Sequence, residues 1–166
     1  MNIWIIGLSG SGKSYLGKSL ASKFRDSGKK ICFIDGDEFR DVMGNDLGHS
    51  LQDREKNGWR VTQVSKWLSN QGINVIASIL SNFPEHQIYN RKENKDYFQI
   101  YINPPPEQLE IRNSKGVYSN RKDVIGIDIP FNKPIDSDKV FFNDFTPEAC
   151  DRFVDDVYQE LCSKMA

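Results

Sequence analysis

"GLSGSGKS" occupies residues 7–14, directly behind the apolar run Ile3-Trp4-Ile5-Ile6 and ahead of a helical pattern. Gly7, Gly12, Lys13 and Ser14 fill the pattern G-x-x-x-x-G-K-[ST], whose glycines let backbone N–H groups turn inward around phosphate oxygens. Ser9, Gly10 and Ser11 complete the loop, so residues 7 and 9–14 are the expected phosphate contacts. In such a loop the lysine neutralises the outer phosphates and the serine hydroxyl ligates Mg²⁺. A plain glycine turn can match so short a pattern. The strand before it and the helix after it make this one a nucleotide site.

The rest of the chain repeats that strand-to-helix alternation. Residues 14–27 place Leu16, Leu20 and Phe24 on one helical face. Residues 31–34 read as a second strand, broken by Asp35-Gly36-Asp37, and 52–71 as a long helix with Val61, Val64, Trp67 and Leu68 inward. Residues 73–80 and 97–102 are two more apolar strands. Pro104-Pro105-Pro106 stops the latter, and 107–111 starts a short helix. Residues 113–134 have little periodicity and read as a lid-like loop. An edge strand at 140–142 precedes a last helix that begins at Thr146-Pro147-Glu148 and buries Phe153, Val157 and Leu161. The expected fold is α/β: one domain over 1–166, with a parallel sheet covered by helices on both faces. Gly7, Asp35 and Ser81 would then all emerge at the carboxyl ends of strands, where such sheets bind ligands.

Composition narrows the partners. Twenty-two basic residues against 23 acidic ones give a net charge of −1, so no overall positive field recruits nucleic acid or an anionic membrane. No run approaches the roughly 18 apolar residues of a membrane span. The N-terminus shows no basic segment followed by an apolar run and a cleavage site, so the cytoplasm is the expected compartment. Cys32, Cys150 and Cys162 are too scattered for a metal site or a disulfide framework, and Cys32 reads as core filler.

Two classes of nucleotide protein fit poorly. A GTPase switch needs a guanine reader of the form Asn-Lys-x-Asp, and Asn132-Lys133-Pro134-Ile135-Asp136 is one residue too long. Motor and transporter ATPases usually carry an apolar strand ending in acids, whereas 73–80 runs into Ser81. Transfer of phosphate to a small acceptor fits better, and "IDGDEFR" (34–40) supplies groups for it. Asp35 can take a proton from an attacking hydroxyl or help hold Mg²⁺, and Arg40 can grip an anion. Standing alone, this string would read as a solvated Asp-Gly turn.

The ordered set of motifs resembles the adenylylsulfate kinase family. GLSGSGKS is followed by DGDEFR (35–40), DLGHS (46–50), DREKNGWR (53–60), LSN (80–82), KGVY (115–118) and GIDIPF (126–131), across residues 1–135. The resemblance implies a P-loop NTPase-like sheet and transfer of the γ-phosphate of ATP to the 3′-hydroxyl of adenosine 5′-phosphosulfate. ATP and Mg²⁺ are the cofactors it implies, and a small nucleotide acceptor the partner, with a homodimer open. By position, Lys13, Asp35 and Ser81 match catalytic residues, with Ser14 and Asp35 toward the metal. Asp37, Arg40, His49, Arg54, Asn57, Lys115 and Ile127 match the acceptor side. A surface ion pair with Asp53 or Glu55 is the plainer reading of Arg54, and Trp59 reads as a packing aromatic.

The departures cluster at the acceptor. The family clamps adenine between two phenylalanines; here those places are His49 and the Val124-Ile125 pair. The lid connection is shorter, Ser-Pro becomes Ser81-Asn82, an Arg-Arg pair becomes Trp59-Arg60, and Arg-Asp becomes Arg112-Asn113. Aromatic stacking is worth about 1–3 kcal/mol per base, so two lost phenylalanines weaken adenine recognition unless a neighbour such as Phe131 refills the space. His49 could stack or hydrogen-bond a pyrimidine. A divergent branch of the family phosphorylates cytidine 5′-diphosphoramidate for decorating bacterial surface sugars such as capsules. The resemblance leaves that acceptor, adenylylsulfate and another nucleotide or small alcohol open. A nucleotide-binding regulator without turnover is the non-enzyme alternative, disfavoured by the joint presence of Lys13, Ser14, Asp35 and Asp37.

Overall fold

The computed structural model describes residues 1–111 and 124–165. Five parallel strands form one sheet: β1 (Asn2–Ile6), β2 (Ile31–Asp35), β3 (Asn74–Ile79), β4 (Tyr97–Ile102) and β5 (Lys139–Phe141), in the order β2-β3-β1-β4-β5. Between them run α1 (Lys13–Asp26), α2 (Gly36–Val42), α3 (Leu51–Asn70), α4 (Pro84–Glu93) and α5 (Pro106–Ile111), and α6 (Pro147–Met165) closes the described chain. This is the parallel α/β sheet with helices on both faces that the motif order leads one to expect.

β1 lies at the centre, in register with β3 on one side and β4 on the other. Its side chains alternate between two cores, as a strand covered on both faces must. Ile3 and Ile5 join Leu16, Leu20 and Phe24 of α1 with Val157 and Leu161 of α6. Trp4 and Ile6 join Phe39 of α2 and Val61 of α3 on the opposite face. The central strand thus has no exposed face, which fixes the position of the loop leaving it.

Three features depart from expectation. Residues 36–42 are helix α2, because Asp35 caps it through the N–H of Asp37 and two acids occupy its first turn. Residues 84–93 are helix α4, with Pro84 at its start and Arg91 and Lys92 in its last turn. Trp67 is 62% exposed, so the inward face of α3 rests on Val61, with Val64 and Leu68 packed beside it. Of the proposed lid, 113–123 lie outside the described residues. Residues 124–129 form a tight turn closed by an Ile125–Ile129 bridge.

α3 and α4 meet around His86. Its ring is 1% exposed and lies edge-on to Trp59, with centroids 4.5 Å apart. Gly58 makes the space: a Cβ there would sit 2.4 Å from the ring. Trp59 is therefore a packing aromatic, as its sequence context suggests. Neither nitrogen of His86 has a hydrogen-bond partner among the described residues. Burial pushes its pKa from 6.5 down to about 4, with the Glu85 carboxylate opposing.

The sign of the consequence follows from proton counting. Above the unfolded pKa both states are neutral at His86, and stability is unaffected. As pH falls toward the folded pKa, only the unfolded chain takes up the proton, so stability drops by up to about 3 kcal/mol. Urea midpoints measured from about pH 7 to about pH 4 should decline less steeply for His86→Gln than for the parent. Parallel declines would assign the acid sensitivity to other groups.

Candidate active site

Successive connections leave β1 and β3 in opposite directions, to β2 and to β4, so a crevice opens at the carboxyl ends of these neighbouring strands. The loop after β1 fills one side. Gly12 caps α1 at φ +100, in the left-handed region that glycine takes without strain, and Gly10 sits at φ +76. The Ser11 N–H donates to the Leu8 carbonyl at 3.2 Å, and Lys13 Nζ reaches the same oxygen at 2.6 Å. Lysine and loop backbone therefore converge on one rim. From β3, the Ser78 hydroxyl donates to the Lys13 carbonyl at 3.0 Å and ties the start of α1 to the sheet.

Asp35 ends β2 and joins two elements. Its Oδ1 accepts the N–H of Asp37 at 3.0 Å, capping α2, while its Oδ2 accepts the hydroxyl of Ser14. Hydroxyl and carboxylate oxygens in contact are the hard donors that suit Mg²⁺ beside phosphate, so the residues present fit that ion.

The residues matched by sequence to the acceptor side stand on and around the segment between α2 and α3. Arg40 Nη1 donates to the Gly48 carbonyl and Arg54 Nε to the His49 carbonyl, each at 2.8 Å. Arg60 pairs bidentately with Asp46, both contacts 2.7 Å, and holds that carboxyl below its usual range. Ser50 caps α3 by accepting the N–H of Asp53 at 3.1 Å. Three arginines thus fix the segment that presents His49. Burial lowers the pKa of Arg40, with Asp37 and Asp53 opposing. Asn57 is buried beneath; its Nδ2 makes a 3.4 Å contact to the Gly36 carbonyl, and its Oδ1 has no partner among the described residues.

One cavity of about 490 Å³ gathers these groups, a volume typical of small-molecule sites. Ser9, Gly10, Gly12, Lys13 and Ser14 line it together with Asp35 and Asp37. Arg40, His49, Arg54 and Asn57 line the same space. Gly7 and Ser11, though part of the loop, are not among the lining residues; the Ser11 hydroxyl is buried without a partner among the described residues.

Two expected contacts fall elsewhere. Ser81 is 1% exposed and does not line the cavity, because the chain turns inward after β3 and Asn82 is locked to Asn132 through bonds of 2.7 and 2.9 Å. Leu80 lines it instead. Ile127 is 59% exposed at the outside of its turn, and Val124 and Ile125, both buried, form the wall. Phe131 packs near Tyr101, with centroids 6.2 Å apart, and is absent from the lining, so it does not refill the clamp. Lys115 lies outside the described residues. Asp41 and Asn45 also line the cavity; recognising α2 from its cap would have placed Asp41 one turn beyond Asp37.

Known proteins resemble this arrangement closely. The family model for adenylylsulphate kinase matches residues 1–141. The chain is 37% identical over 137 residues to cytidine diphosphoramidate kinase of Campylobacter jejuni, covering 80% of each protein. It is 38% identical over 138 residues to adenylyl-sulfate kinase of Clostridium acetobutylicum, covering 80% of this chain and 69% of that one. The solved APS kinase of Mycobacterium tuberculosis, in complex with AMPPNP and APS, superposes with a TM-score of 0.83 at 29% identity, covering 98% and 95%. A glycine-rich loop, a capping aspartate and an arginine-pinned segment around one cavity, joined to a family match across most of the chain, make this protein a nucleotide kinase of the adenylylsulphate kinase family.

Proposed function

We propose that the protein transfers the γ-phosphoryl group of ATP to the 3′-hydroxyl of cytidine 5′-diphosphoramidate. The observation behind this reading is the shared cavity: the phosphate loop and Asp35 line it together with His49 and the aliphatic Val124–Ile125 wall. The AMPPNP bound by the Mycobacterium kinase supports ATP as donor. The Campylobacter relative, named for the cytidine substrate, supports the acceptor. Adenylylsulfate is the second reading, favoured by the similar identity to adenylyl-sulfate kinases.

In the reaction the acceptor 3′-oxygen forms a bond to the γ-phosphorus, and the bond from that phosphorus to the bridging oxygen breaks to release ADP. The loop amides orient the phosphates, and the Lys13 ammonium stabilises charge on the transferring group. Asp35 accepts the proton of the 3′-hydroxyl, and Ser14 holds its carboxylate in place. When bound, Mg²⁺ neutralises phosphate charge, with Ser14 and Asp35 as its protein oxygens. Arg40 and Arg54 each donate to a carbonyl of the α2–α3 segment and line the cavity, where their guanidinium charges attract the acceptor's phosphates. Asn57 Oδ1, buried and without a partner among the described residues, is an acceptor suited to a donor on the substrate. The reaction is assigned to the cytoplasm and to the making of surface-sugar decorations.

Two experiments test this. Lys13→Ala should lower kcat by about a hundredfold or more in a folded protein, and Asp35→Asn should lower kcat far more than it changes ATP binding. Near-normal turnover of folded Lys13→Ala refutes the donor site; unchanged kcat with weaker ATP binding reduces Asp35 to a binding group.

In competition at fixed Mg·ATP, cytidine diphosphoramidate should show the higher kcat/KM, by roughly one or two powers of ten. Installing Phe at both His49 and Val124 should recover part of the activity on adenylylsulfate. If adenylylsulfate wins with the parent protein, the second reading replaces the first.

A further inference from the structure

The turn between β5 and α6 has no part in the chemistry described above, yet it reaches the phosphate loop. Asn143 is 6% exposed and lies 132 residues beyond Ser11 in the chain. Its Nδ2 donates to the Ser11 carbonyl at 2.9 Å, and its Oδ1 accepts the N–H of Phe145 at 2.9 Å. Both ends of the amide are therefore used, one on each loop. Gly12 leaves the space: a Cβ there would come within 2.6 Å of Asn143 Nδ2 and 4.0 Å of the Phe145 ring. The turn is itself fixed, since Asp144 accepts from the N–H and hydroxyl of Thr146 at 2.9 and 2.8 Å. Phe145 holds φ +64, which is uncommon for a bulky residue.

The planar peptide gives this contact a consequence. In a trans peptide the C=O of Ser11 and the N–H of Gly12 point in opposite directions. Holding the carbonyl against Asn143 turns the Gly12 N–H away from the β5–α6 turn. Gly12 also lines the cavity in which a phosphate oxygen would be met, so the orientation of its peptide bears on that site. Released from Asn143, a glycine at this site could rotate its peptide, and the donor would leave the loop.

We infer that Asn143 is a positioning residue for the phosphate loop: its side-chain amide locks the Ser11–Gly12 peptide in the orientation that binds the phosphates of the nucleotide donor. This rests on the reading of the loop as the donor site. Asn143 acts through the backbone and touches no reacting atom.

Two variants separate this role from general packing. Asn143→Asp keeps the size and the bond from the Phe145 N–H but sets a carboxylate oxygen against the Ser11 carbonyl. Asn143→Ala removes both bonds. Calorimetric binding of Mg·AMPPNP should weaken about tenfold in each, since a lost buried partner shifts the equilibrium by that order. KM for ATP should rise in parallel, while KM for the acceptor stays within about twofold. Thermal melts check that both variants fold, and the near-isosteric Asp variant serves if Ala does not. Nucleotide binding by Asn143→Asp within about twofold of the parent overturns the inference, as does an equal rise in both KM values. Parent protein that binds no Mg·AMPPNP overturns the donor reading itself, a result distinct from either.

Discussion

Asp35 is the residue on which the site depends, because its two carboxylate oxygens belong to different parts of the fold. One accepts the N–H of Asp37 in the first turn of α2, and the other accepts the hydroxyl of Ser14 at the start of α1. A carboxylate at a helix N-terminus is stabilised by the unpaired amides there. The same charge is the natural neighbour for a cation at the phosphate loop. A single side chain thereby sets the distance between the donor loop and the helix that carries Asp37, Arg40 and Asp41.

Around that point the two halves of the cavity are built by different means. The donor half is mostly backbone: glycines at positive φ, a buried central strand behind them, and side chains from distant segments that pin carbonyls. Ser78 holds the carbonyl of Lys13, and Asn143 that of Ser11. The other half is a segment without regular structure, anchored by Arg40, Arg54 and the Arg60–Asp46 pair. Backbone donors suit phosphate, which is common to every nucleotide. Side chains on an anchored segment suit a base, and His49, Val124 and Ile125 line the cavity there.

The sheet was legible from the sequence because its strands are short apolar runs bounded by glycine, proline or acids, and the order of motifs left little choice of topology. The donor loop was legible for the same reason, since its function resides in a local backbone pattern. α2 and α4 were less so. Both are polar helices without a strong apolar periodicity; α2 is held by its Asp35 cap, and α4 starts at Pro84 and packs His86 against Trp59 of α3. Trp67 misled in the other direction: its spacing fits the inward stripe of α3, yet β3 fills that face with Val75 and Ala77 and leaves the indole outside.

Sequence alone determined the fold class and the phosphate-loop pattern, and it singled out Lys13, Ser14, Asp35, Arg40, Arg54 and Asn57, all of which line the same cavity. These are properties of local pattern and residue chemistry. Only the tertiary structure decided which of the matched residues reach the cavity. Ser81 and Ile127 sit one or two positions from lining residues but face elsewhere, because a turn of the backbone reverses where neighbouring side chains point. It alone also brought Asn143 to Ser11, a contact 132 residues apart that no local pattern encodes, since parallel pairing of β5 with β4 sets where the following turn lands.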